Sequence, residues 1–218
     1  MQQINFTAVI KVQNDSFITI NNDAEIQYTE KKSVFIASAF TVQSEEDAQQ
    51  KITAVRCKYN DATHYCYGYI IKGGVVKRFS DDNEPSGTAG MPILNVIEKS
   101  GITNTLVVVT RYFGGIKLGA GGLVRAYSAS AAQALASAGR ALYVRGNRGI
   151  IEVDYDDFGA VERMLLQSGC IIKGKDFSNG VAISVETCGD WDKLSENVSD
   201  MCRGGAICEF SGYVYIKQ

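Results

Sequence analysis

No Cys-x-x-Cys pair occurs among the six cysteines of this sequence, and there is a single histidine, His64. The first absence excludes zinc ribbons and thioredoxin-like redox sites. The second leaves room for at most one histidine-based catalytic unit. No run of about 18 apolar residues is present, so no membrane-spanning helix and no membrane partner are expected. The N-terminus, MQQINFTAVIKVQNDS, lacks the basic start and the apolar stretch of a signal peptide. A net charge of −2 excludes a global positive field, so any nucleic-acid contact must be a local patch. There is no Gly-x-Ser-x-Gly elbow, no P-loop and no Gly-x-Gly-x-x-Gly, which leaves Ser80 and Ser86 unsupported as nucleophiles and names no nucleotide. Repeats and low-complexity segments are also missing. These absences predict a cytoplasmic protein with free thiols and no resident cofactor.

What is present is an ordinary globule. The 218 residues are 45% apolar and 21% charged, enough for one or two domains with a sizeable core. Residues 1–22 read as an N-terminal extension, in which Phe17 to Ile20 has the composition of a short strand. Residues 23–139 read as a first domain. Glu25 to Thr29 and Ser33 to Val42 are expected strands around a Glu30-Lys31-Lys32 turn. Ser44 is expected to cap a helix whose first turn holds Glu45, Glu46 and Asp47, with Ala48, Ile52, Val55 and Tyr59 on its apolar face. A tyrosine-rich strand, His64 to Ile71, turns at Lys72-Gly73-Gly74 into Val75 to Phe79. The loop Ser80 to Gly90 leads to a short helix with Pro92 in its first turn, stopped at Gly101. Thr105 to Thr110 is an expected buried strand. A glycine loop follows it, then an alanine-rich helix from about Gly121 to Ala138, ended by Gly139.

Residues 140–218 read as a second domain. Arg148 to Asp154 is an expected strand, and Asp156 or Asp157 an expected helix start. Cys170 to Phe177 and Val181 to Thr187 form a hairpin over Ser178-Asn179-Gly180. Asp190 caps a second helix, and Ala206 to Ile216 is a last strand, broken near Gly212. This is β-α-β-β-α-β, the ferredoxin-like order. The whole is α+β with two domains.

Function points to the segment Arg78 to Tyr127. Gly114, Gly115, Gly119, Gly121 and Gly122 fall together between a strand and a helix, surrounded by Arg111, Lys117 and Arg125. Backbone N–H groups at a helix start carry partial positive charge, so this order suits a phosphate or another anion. The structural alternative is a tight loop packed on its own sheet. Arg78, Phe79, Arg111, Tyr112, Phe113, Lys117, Arg125 and Tyr127 could also clamp single-stranded nucleic acid, or their aromatics simply fill the core. Asp81, Asp82 and Glu84 form an acidic loop. It is read as a metal or acid–base site, or, in preference, as a solvated turn or a partner for Arg78 and Arg111. His64 shares a strand face with Cys66, which admits a Cys–His couple. A hydrogen-bonded strand histidine at the loop mouth is the preferred reading.

His64-x-x-x-Gly-Tyr, RFSDDNEPSGTAGMPIL, LVVVTRYFGGIKLGAGGLVRAY and the upstream KKSVFIA resemble the IMPACT family, in its bacterial YigZ-like branch. The resemblance runs from about Glu25 to the C-terminus. It implies a first domain of the type shared by a small-subunit ribosomal protein and elongation factor G domain four. It implies a second domain like elongation factor G domains three and five. Eukaryotic relatives act in translational control through an extra domain absent here. The family signature falls on Asp81, Glu84, Gly87, Thr88, Gly90, Arg111, Tyr112, Gly114, Gly115, Lys117, Leu118, Gly119, Gly121, Gly122, Leu123 and Arg125. The expectation is a non-catalytic regulator of translation whose basic glycine loop binds RNA, the ribosome or a translation-associated protein. The alternative is an enzyme acting on a phosphorylated small molecule or nucleotide at the same loop.

Overall fold

The computed structural model describes residues 16–218, so most of the expected N-terminal extension lies outside the described residues. The chain divides into two compact units, Met1–Leu142 and Tyr143–Gln218.

In the first unit, β1 (Ser16–Ile20), β2 (Ala24–Glu30) and β3 (Ser33–Thr41) lead into helix α1 (Glu45–Lys58). There follow β4 (His64–Ile71), β5 (Val76–Ser80), α2 (Gly90–Ser100), β6 (Thr105–Tyr112) and α3 (Ala120–Ala138). Five strands form one sheet in the order β2-β3-β6-β4-β5, and every neighbouring pair is antiparallel. The side-chain period of two sorts the sheet into two faces. Phe35, Ala37, Cys66, Ile70, Val107 and Val109 pack against α2 and α3. Tyr65, Tyr69, Ile71, Leu106 and Val108 pack against Ala48, Ile52 and Val55 of α1. The sheet is therefore the middle of three layers, and β6, buried from Thr105 to Arg111, is its centre.

Local signals explain the element ends. Ser44 Oγ accepts from Asp47 N at 3.1 Å, satisfying an otherwise orphaned donor of α1. Gly101 ends α2 in the left-handed region, φ 68°. Tyr59, the C-cap residue of α1, continues its apolar face, packing partly buried against the cluster that holds Ala48, Ile52 and Val55.

The second unit carries most of β7 (Arg140–Val153), then α4 (Tyr155–Gln167), β8 (Ile171–Phe177), β9 (Val181–Thr187), α5 (Trp191–Met201) and β10 (Ile207–Lys217). Its strands run β10-β7-β9-β8, all neighbours antiparallel, with α4 and α5 over one face. This is the ferredoxin-like arrangement. Its core is Ile151, Val153, Val161, Leu165, Ile183 and Val198. The expected break near Gly212 is a register shift between Phe210 and Gly212. Two expectations are corrected. β7 begins at Arg140, not Arg148, because backbone pairing to β10 from Tyr143 onward carries a stretch that lacks apolar alternation. The N-cap of α4 is Asp154 rather than Asp156 or Asp157, which lie inside the first turn.

Candidate functional site

The loop from β5 to α2 is held by its own acids. Asp81 Oδ1 accepts from Ala89 N and Gly90 N, at 3.0 and 2.8 Å, and its Oδ2 accepts from Gly87 N at 2.9 Å. The Asp81 carboxylate thus sits on the positive end of α2, satisfying donors that the helix cannot. Asp82 takes a left-handed backbone, φ 42°. Its carboxylate accepts from Arg56 at 2.6 Å and from Tyr65 N at 2.7 Å. Thr88 is turned inward, its hydroxyl donating to Pro85 O at 2.6 Å. Among the described residues no group of three or more His, Cys, Asp or Glu side chains could hold a metal ion.

Glu84 does something different. It is 8% exposed and projects beneath the loop into a buried polar cluster. Its Oε1 accepts from Arg111 at 2.5 Å and from the Tyr127 hydroxyl at 2.8 Å. Arg111, 5% exposed, lies between the rings of Phe35 and Phe113, each 5.5 Å from the guanidinium carbon. The Cys66 thiol donates to Asp81 O at 3.0 Å and lies 3.4 Å from the Tyr127 hydroxyl. Burial, with Tyr127 opposing it and the neighbouring carboxylates adding to it, pushes the thiol far above its ordinary range. Burial, then Cys66 and Glu84, push the Tyr127 phenol up strongly as well. Both groups therefore stay protonated, and Cys66 is no nucleophile. His64 borders the cluster. Its Nδ1 donates to Asp82 O at 2.8 Å, because a carbonyl can only accept, and its Nε2 stands 3.8 Å from Glu84 Oε1. His64 and Cys66 share a strand face but each is tied to a loop carbonyl, so they form no couple.

The glycine loop closes the cluster from above. A Cβ on Gly114 would lie 2.1 Å from the carbonyl carbon and oxygen of Lys32, so the loop can pass the β2–β3 turn here only without a side chain. Gly114 N donates to Ser33 Oγ at 3.3 Å, and Arg111 donates to the same oxygen at 3.4 Å. Gly119, φ 71°, is the N-cap of α3. It offers no capping side chain, and the first turn of α3 contains no acid. Lys117 and Arg125 are exposed, and neither forms an ion pair among the described residues. The Arg125 guanidinium curls back to within 4.0 Å of the position a Gly121 Cβ would take.

The expected site residues thus divide into three sets. His64, Asp81, Asp82, Glu84, Thr88, Gly114 and Arg111 are bound up in the loops or beneath them, and Arg111, 5% exposed, is not open to an anion from solvent. Gly115, Lys117, Gly119, Gly121, Gly122 and Arg125 form an exposed basic helix start. Arg78 and Tyr112 are not brought to it. Arg78 lies on the α1 face, its Nε 3.3 Å from Glu45. Tyr112 donates to Asp61 at 2.8 Å, and that bond, with burial, pushes its phenol up to about 12. Ser33, Arg56 and Asp61 were not legible as members of this region, since only the strand register and the packing of α1 bring them there.

Fold and site define a two-domain α+β protein with a ferredoxin-like second domain and a sealed acid–arginine lock under a basic glycine turn. Comparison with known proteins agrees. Residues 31–135 match the Impact N-terminal domain, and residues 151–204 match a domain of unknown function, DUF1949. The IMPACT family member YvyE of Bacillus subtilis is 38% identical over 76% of this chain and 77% of its own. The IMPACT family member YigZ of Escherichia coli is 32% identical over 80% of this chain and 87% of its own. A crystal structure titled as that of a hypothetical protein superimposes with a TM-score of 0.62 at 29% identity, covering 89% of this chain and 97% of the other. The chain belongs to the IMPACT family. None of the helices among the described residues is long and apolar enough to cross a membrane.

Proposed function

We propose that this protein is a non-catalytic cytoplasmic regulator that binds the translation apparatus, holding RNA phosphates at the glycine loop and the start of α3. The observation that carries the reading is the uncapped N-terminus of α3. Its N–H groups stand beside Lys117 and Arg125, two cations that form no ion pair among the described residues. Lys31 and Lys32 add charge from the turn against which Gly114 packs. Donors of a helix start and nearby cations together suit a phosphate. The binding reading is favoured over the enzymatic one by the cluster beneath. There the acids that a phosphoryl-transfer enzyme would use for magnesium are spent on Arg56, Arg111 and backbone amides.

The test is fluorescence anisotropy with labelled single-stranded oligouridylate across a salt series. Affinity should fall with salt, with a slope of about −0.7 per phosphate contacted. A Lys117→Glu, Arg125→Glu double variant should lose the binding. Salt-insensitive binding, or a double variant that binds like the parent, contradicts the reading. Thermal stabilisation by a nucleotide or sugar phosphate without RNA binding would favour the enzyme instead.

A further inference from the structure

The first unit carries a second recognition feature that the phosphate reading does not use. A groove of about 690 Å³ runs along α3, between it and the end of β2. Its floor includes Tyr28, Val96, Leu118 and Ala129. Tyr28, Val96 and Leu118 all pack against the main core cluster yet remain half-exposed, so the core is open to solvent along this line. Val124, on the same stretch of α3, is 37% exposed. The α3 wall includes the small residues Gly122, Ser128 and Ala132. Small side chains let another backbone approach closely.

Charge is distributed unevenly around this groove. Lys31 and Arg125 line it, with Lys32 and Lys117 one residue outside it, and none of the four forms an ion pair among the described residues. Glu30 is the one acid in the lining, and it already accepts from the Tyr28 hydroxyl at 3.2 Å. Lys31 and Lys32 form a two-residue hairpin turn with φ of 45° and 66°. Such a turn favours Asn-Gly, and a side-chain-bearing residue there costs about 1–2 kcal/mol. Two lysines are held at the groove mouth despite that cost.

We propose that this groove docks an acidic amphipathic helical segment of a partner protein. Aliphatic side chains of the segment lie on Val96, Leu118 and Val124, and its carboxylates meet Lys31 and Arg125. The lining argues against a nucleobase. Its one aromatic, Tyr28, leans on Phe35 at a centroid distance of 6.2 Å and 53°, and Leu, Val and Ala offer no stacking platform. The proposal goes beyond RNA binding at the glycine loop and shares Lys31, Gly122 and Arg125 with it, whereas Val96, Val124 and Ala129 belong to the groove alone.

The probe is a labelled amphipathic peptide of about 15 residues, leucine on one face and glutamate on the other, titrated into the full chain. A control peptide carries lysine in place of glutamate. The acidic peptide should bind and the basic one should not. Ala129→Glu, which puts a carboxylate on the groove floor, should weaken the acidic peptide about tenfold or more while sparing oligouridylate. Lys31→Glu, at a turn outside the core, should weaken it too, which covers the case of Ala129→Glu failing to fold. Equal binding of both peptides, or no effect of either variant, overturns the proposal. So does oligouridylate binding that Ala129→Glu abolishes, because the groove is then part of the RNA site. Loss of oligouridylate binding in Lys117→Glu, Arg125→Glu bears only on the RNA reading.

Discussion

Replacing Glu84 by alanine should be among the most damaging single changes in the first unit. Arg111 is 5% exposed, and among the described residues its side chain has two hydrogen-bond acceptors, Glu84 and, more weakly, Ser33. Among the described residues its Nε is buried without a hydrogen-bond partner already. Removing the carboxylate strands a guanidinium between two aromatic rings and leaves the Tyr127 hydroxyl without its acceptor. Breaking a buried pair from one side costs about 3–5 kcal/mol. That is a large part of the roughly 5–15 kcal/mol that holds a domain folded. In a unit of this size it corresponds to a fall in Tm of about 10 °C or more. Removing both partners is different. A Glu84→Leu, Arg111→Met double variant removes both charges of the pair, and apolar replacement of a buried pair is often close to neutral. Urea unfolding followed by circular dichroism measures the loss, and fluorescence of Trp191, the only tryptophan, follows the second unit in the same samples. A single-variant loss under about 1 kcal/mol, or a double variant as unstable as the sum of its parts, would refute the lock.

Three other outcomes follow from the geometry. In the native protein the exposed Cys57 and Cys188 should react with iodoacetamide first and the buried Cys66 last, as read by peptide mass spectrometry; early labelling of Cys66 would contradict its placement. Gly114→Ala should cost about 1–3 kcal/mol, because the new methyl meets the Lys32 backbone at 2.1 Å, whereas a neutral effect would show the turn and loop free to separate. Burial pushes the Glu25 carboxyl up, but hydrogen bonds from Lys58, Tyr59 and Ser38 outweigh it and hold the group below the ordinary glutamate range. Its contribution is therefore present above the unfolded pKa and lost as pH falls through the depressed folded one, and Glu25→Gln should flatten the acid limb of urea stability at about pH 5 to 3.

Much of the architecture could be read from local chemistry. Ser44 and Asp190 cap their helices because a side-chain oxygen two or three residues before an amide needs no tertiary help. Ser178-Asn179-Gly180 turns the β8–β9 hairpin through Gly180, whose φ of 153° favours glycine. What escaped was long-range. The acidic loop reads as a partner for Arg111, and Glu84 makes that pair; its burial, and the share taken by Tyr127, 43 residues from Glu84, follow from no spacing rule. Asp81 reaches across its own loop to Ala89 and Gly90, so it reads as solvated charge until the loop is folded. The same holds for Arg111, which sits among basic surface residues in the sequence and points into the core in the fold. Of the expected basic cluster, the part at the surface is the part that local pattern describes well: glycines, Lys117 and Arg125 at the start of a helix.

The central claim, a translation-facing basic helix start, is tested most directly by sucrose-gradient cosedimentation of tagged protein with ribosomes from lysate at low and moderate salt. The Lys117→Glu, Arg125→Glu variant runs in parallel. The account predicts that the parent travels with a ribosomal subunit at low salt, is released as salt rises, and that the variant stays at the top. If the parent stays at the top at both salts, or the variant travels with it, the claim is contradicted.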